Sequence, residues 1–408
     1  LLFLNDFQCA MLLVCFHDFS FVKSSTESLQ HHYVNFRLVL DSGVLIMRCK
    51  WLPITTICLS FAIGLSAMAV ERLGDITEFQ LSWPSTERNG THELISDPAS
   101  GVIWTTGIKQ DYIARVKLDG KIDYFPMPKG SNPHGMAFDK QGRLWVSLEA
   151  SGFVVRLDDK GAIAEQIDVN IRSSSGQTVN PVPHAIAFGG DGKTIWFVGK
   201  ATSTVGRIDE NTVVKHFPLK TKNALPIYIA LGPDGSMWGT QLIGNNIFRI
   251  RATGEVSEFP IPTANSRPIA IVPGPDGTSM WFSQEAGRKV ARITSSGEIN
   301  EYPIPLLGEK SLLAGIAFDR EGNLWTQMYA PPPNKIGQTD HLVKIDKRIA
   351  AAVAGDLSGI SVTYYRTPSR NTIMHRIIQA ADGNMWFTEL NGDRIGKILI
   401  NDGRKITK

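Results

Sequence analysis

The chain has 408 residues, a formal net charge of +3, and acids and bases interspersed along its length. That balance supplies no electrostatic footprint for nucleic acid, and no nucleic-acid partner is expected. All four cysteines, Cys9, Cys15, Cys49 and Cys58, precede Ala69, so the remaining chain has no thiol for a disulfide, a redox reaction or a metal.

Residues 1–46 carry neither repeats nor the patterning found later, and they read as spurious upstream translation. Met47 opens a secretory leader: Arg48 and Lys50 are followed by an apolar run from Trp51 to Leu65, then by Ala67-Met68-Ala69 with small residues two apart. Cleavage is expected after Ala69. The run is shorter than the roughly 20 apolar residues of a spanning helix. The mature chain, 70–408, is therefore expected to work in the periplasm or outside the cell, free of the membrane and as a monomer.

Downstream, one unit recurs. Trp104, Trp145, Trp196, Trp238, Trp281, Trp325 and Trp386 each follow a short apolar run and a turn that ends in glycine, as at Gly142, Gly235 and Gly383. In the second unit, His134 to Phe138 reads as a strand, Asp139 to Gly142 as a hairpin turn, and Leu144 to Ser147 as the returning strand. A third strand alternates around a basic residue, as in Val154-Val155-Arg156-Leu157 and Ile247-Phe248-Arg249-Ile250. A fourth ends in an aromatic and prolines, as in Phe259-Pro260-Ile261-Pro262, which places it at a blade edge.

The last unit runs out after its third strand near Ile400, while Asp75 to Gln80 forms a fourth strand with no unit of its own. The sequence thus predicts an all-β fold, a seven-bladed β-propeller of four-stranded antiparallel blades closed by the N-terminal strand over 70–408. The recurring tryptophans read as core wedges between blades.

At the first position of the innermost strand the units read His92, His134, His184, Ile227, Ile269, Ala314 and His375. Blade seven adjoins blade one, so the four histidines form one sector of a channel mouth, opposite an apolar sector. Antiparallel pairing is expected to set Glu149 beside His134 and Glu389 beside His375. Two long connections, Asp168 to Val182 and Tyr329 to His341, are expected to open onto the same face.

Other apparent motifs fail. Gly189 to Thr194 lacks the first glycine of a phosphate loop, and His92-Glu93 has Ser96 where a zinc protease needs its second histidine. No Gly-x-Ser-x-Gly nucleophile elbow occurs.

Three segments carry a family resemblance: Gly232-Pro233-Asp234-Gly235-Ser236-Met237-Trp238, Met385 to Glu389 followed by Arg394 to Ile398, and Glu255 to Pro262. They resemble the repeats of the virginiamycin B lyase (streptogramin B lyase) family from about Asp75 to Ile400. The resemblance implies opening of a cyclic depsipeptide by elimination, with Mg2+ and a histidine base. Asn132-Pro133-His134-Gly135 with Trp145 to Glu149 best matches the family's site segment. On that carry-over His134 is the base and His92, from the preceding blade, binds substrate; His184 and His375, from their place at the mouth, are flanking substrate-binding candidates. Glu149 and Asn132 are the metal ligands, with Glu389 a lesser candidate. Asn132 stands where the family has a ligand carboxylate, and the matching blades come first and second rather than last. The function expected is metal-assisted C–O elimination on a small-molecule or cyclic peptide ester. The alternatives are a non-catalytic secreted propeller that binds a ligand or protein, and a lactonase-type hydrolase.

Overall fold

The computed structural model describes residues 33–40, 43–50, 69–72, 74–117, 119–331 and 339–400. The chain divides into two compact units, 1–63 and 64–408. Within the first, Tyr33–Leu40 and Gly43–Lys50 pair as an antiparallel hairpin. The apolar run Trp51 to Leu65, on which the leader was expected, lies outside the described residues.

The second unit is the seven-bladed propeller. Blade one comprises Thr91–Ser96, Ile103–Gly107, Tyr112–Val116 and Ile122–Pro126, hydrogen-bonded in that order, and the following blades repeat it. Ile76–Gln80 completes blade seven by pairing antiparallel with Arg394–Ile398, Ile76 opposite Ile398 and Gln80 opposite Arg394. Closure by the N-terminal strand is thus observed. Blade six departs from the four-strand pattern: Ala69–Arg72 adds a fifth strand, parallel to Val362–Arg366. The long connection after blade two carries a short hairpin, Ile171–Arg172 against Thr178–Val179.

In most blades the tryptophan stacks on the fourth-strand aromatic or lies under the basic residue of the third strand, which explains why both recur. In blade one, Trp104 stacks on Phe125 with centroids 5.4 Å apart, and Arg115 lies over both rings. Trp238, Phe259 and Arg249 repeat this in blade four. In blade seven the stacking partner of Trp386 is Phe79, from the closing strand. Burial of aromatic faces with a cation above them is worth about 0.5–2 kcal/mol per contact beyond area.

The innermost strand of every blade carries a register shift just after its first residues, as between Thr91 and Leu94, Pro183 and Ile186, and Met374 and Ile377. Bulges re-aim side chains, and here they fall at the histidine positions. A hydroxyl of the second strand supports the irregular backbone: Thr106 Oγ1 accepts from Glu93 N, Ser147 Oγ from Gly135 N, and Thr388 Oγ1 from Arg376 N.

Candidate functional site

The four histidines come together at one end of the channel. Ring centroids are 3.8 Å apart for His375 and His92, 4.3 Å for His92 and His134, and 3.6 Å for His134 and His184. Ile227, Ile269 and Ala314 are buried, as the apolar sector requires. The close approach of blades two and three depends on Gly135, because a Cβ there would lie 2.3 Å from the His184 carbonyl oxygen. Ser147 Oγ donates to that same oxygen at 2.6 Å. Val182 and Ile373, each two residues before a histidine, sit at φ 57° and 45°, a costly conformation for β-branched residues.

His134 is 1% exposed, and neither ring nitrogen has a hydrogen-bond partner among the described residues. Burial, reinforced by the positive potential of His184, His92 and Lys200, holds its pKa well below the usual histidine value. Burial acts in the same direction on His375 and on His184, where Glu149 opposes it. The imidazoles of His134 and His375 are thus neutral near neutrality, with lone pairs available.

Glu149 meets the expected neighbour and a second one. Its donor atom lies within 4.8 Å of those of His134 and His184, and its Oε1 accepts from Nδ1 of His184, across the blade boundary. Lys200 Nζ donates to the same oxygen at 3.2 Å. Burial works against an ionised Glu149, but His184 and Lys200 outweigh it and hold its pKa below the usual carboxylate range. The long connection also docks here: Asn180 Nδ2 donates to the carbonyls of Glu149 and Ala150.

Glu389 does not join His375, contrary to the sequence reading. It stands three residues after its tryptophan, whereas Glu149 stands four after its own, and one residue in a strand reverses the face. Glu389 lies opposite Met374 in the ladder and is fully buried, accepting from Arg394 Nε at 2.7 Å. Burial and the neighbouring Glu78 push its pKa up to about 8, against the pull of Arg394.

The carboxylate beside His375 is Glu93, whose donor atom lies within 4.8 Å of those of His92 and His375. Arg376 clamps Glu93 through Nε at 2.9 Å and through a second guanidinium nitrogen at 2.5 and 2.6 Å. Burial opposes the charge on Glu93, yet Arg376 and His92 hold its pKa well below the usual range. Arg376 also lies 4.2 Å over the Tyr228 ring. These three residues help line a cavity of ≈ 160 Å³, smaller than the roughly 300–1,000 Å³ of ligand pockets.

Sequence reasoning missed Lys200, Arg376 and Glu93 as site residues. A signal for Lys200 existed: four residues after each blade tryptophan stand Ile108, Glu149, Lys200, Leu242, Glu285, Tyr329 and Leu390. This column marks the mouth end of the second strand, and Lys200 is the next polar residue after Glu149.

The expected Mg2+ ligands fit such an ion poorly. Asn132 is exposed and offers an amide where a second carboxylate was needed, while Glu149 is already matched by Lys200 and His184. Glu93, the other carboxylate of the sector, is matched by Arg376. The remaining donors are imidazoles, whereas Mg2+ selects oxygen ligands and bound carboxylate charge.

Comparison with known proteins agrees with the repeat. Residues 166–360 match the Virginiamycin B lyase family. The Virginiamycin B lyase of Nocardia farcinica (strain IFM 10152) is 30% identical over 180 residues, 36% of this chain and 62% of that protein. The chain thus spans under two thirds of the length of that curated relative. A streptogramin B lyase structure superposes with a TM-score of 0.66 at 25% identity, covering 80% of this chain and 97% of the other. A catalytically inactive histidine-to-alanine virginiamycin B lyase from Staphylococcus aureus with quinupristin gives 0.65 at 26% identity, covering 80% and 99%.

Proposed function

From the premise that this chain is a virginiamycin B lyase-like propeller, we propose that it opens a cyclic depsipeptide or related ester by C–O elimination outside the cytoplasm. The observation that carries the reading is His134: an almost fully buried imidazole at the mouth whose two nitrogens have no partner among the described residues. A buried side chain left without partners is costly unless a ligand completes it.

In this reading His134 takes the proton on the carbon next to a substrate carbonyl. The C–H electron pair becomes a C=C bond, the adjacent C–O bond breaks, and its electrons leave on the ester oxygen as a carboxylate. No water is added. His92, His184 and His375 contact the substrate around the base, and the apolar sector of Ile227, Ile269 and Ala314 receives its hydrophobic side chains.

The test is mass spectrometry on a cyclic depsipeptide ester incubated with the purified protein. Elimination gives a ring-opened product of unchanged mass, and His134→Ala abolishes it. A mass gain of one water assigns hydrolysis instead. Binding without turnover assigns a secreted binding propeller, the reading that Asn132 favours because it removes a carboxylate from the family's pattern.

A further inference from the structure

We infer that Lys200 does the work of the divalent cation at this mouth, its ammonium facing the substrate carbonyl and carrying the charge that develops on it. The inference deepens the elimination reading and rests on it for the chemistry, though not for the cation site itself.

Lys200 holds in blade three the strand-end position that Glu149 holds in blade two, four residues after the blade tryptophan. From there its side chain, about one third exposed at 31%, reaches across the boundary to bring Nζ 3.2 Å from Glu149 Oε1. His134, whose donor atom lies within 4.8 Å of that of Glu149, is close enough to feel the charge of Lys200. One corner therefore contains a base with free nitrogens, a carboxylate and a fixed cation.

The two carboxylates of the sector, Glu149 and Glu93, have as counter-charges Lys200 and Arg376. A dication added to this balanced set would bring two uncompensated charges into a mostly buried site, beside an ammonium that repels it. Arg376 is itself buried and held on both oxygens of Glu93, so it cannot turn to the substrate. Lys200 is on the rim, and among the described residues only one of its three ammonium donors is engaged, by Glu149.

During the reaction, proton removal by His134 shifts the C–H electron pair toward the carbonyl oxygen. A hydrogen bond from Lys200 Nζ to that oxygen stabilises the enolate-like charge. The charge returns as the C=C bond forms and the ester oxygen departs, so Lys200 keeps its proton throughout. Glu149 positions Lys200 and His184 together.

The test is titration of Mn2+, as a probe for a Mg2+-type site, into wild type, Lys200→Met, Lys200→Arg and Asn132→Glu/Lys200→Met by calorimetry. Wild type and Lys200→Arg are expected to bind Mn2+ only weakly. Lys200→Met, freed of the ammonium, binds it about tenfold or more tightly, and the double variant more tightly again. Tight binding by wild type that is unchanged in Lys200→Met overturns the inference, as does equal failure of all four proteins to bind. This arm needs no substrate, so it stands even if the elimination reading fails. Where turnover is observed, a chelator leaves the wild-type rate unchanged, and loss of that rate on chelation also overturns the inference.

Discussion

His134 and His184 belong to different blades, yet their rings stack with centroids 3.6 Å apart. The spacing is set by backbone: Gly135 lets its strand approach the His184 carbonyl, and Ser147 bridges the two.

Gly135→Ala is expected to force the two strands apart, because a Cβ 2.3 Å from a carbonyl oxygen cannot be absorbed by a side chain. Overpacking of this kind costs about 1–3 kcal/mol. Thermal denaturation should show a lowered Tm, and a crystal structure of the variant should show the His134 and His184 rings separated.

Arg376→Met should be among the most destabilising changes at the channel, because it strands Glu93 without its counter-charge in a buried place. Removing one member of such a pair costs about 3–5 kcal/mol. Glu93→Leu combined with Arg376→Met should recover much of the loss. Chemical denaturation of the single and double variants checks this, and additive losses would show that the pair is not coupled.

Glu389 makes stability depend on pH in a defined direction. Its folded pKa is about 8 against a reference of 4.5, so between these values the folded chain holds a proton that the unfolded chain has released. Stability from this group is therefore fullest below pH 4.5 and declines as pH rises to about 8. Glu389→Gln should lose that slope, and its stability advantage over wild type should grow from pH 5 to pH 8 in urea titrations.

Phe79 ties the ring shut, since its face lies 5.4 Å from that of Trp386 and its strand is the last of blade seven. Phe79→Ala should cost about 2–4 kcal/mol. Hydrogen exchange should report faster opening in Arg394–Ile398 than in blades three to five.

The sequence by itself determined the architecture. Seven spaced tryptophans, the hairpin glycines and the basic third strands recur because each blade must solve the same packing problem, and Asp75 to Gln80 had to go where a fourth strand was missing. The histidine sector was legible for the same reason: comparing like positions of the repeat exposes what the fold does not require. Partnership between blades was not legible. Glu149 reaches His184 and Lys200 of the next blade, and Arg376 of blade seven reaches Glu93 of blade one and Tyr228 of blade four. Glu389, one residue out of step with Glu149, turns to Arg394 instead of the channel. Period-two alternation makes a single-residue offset decisive, bulges shift the count, and only the curvature of the closed ring decides which side chains of separate blades meet.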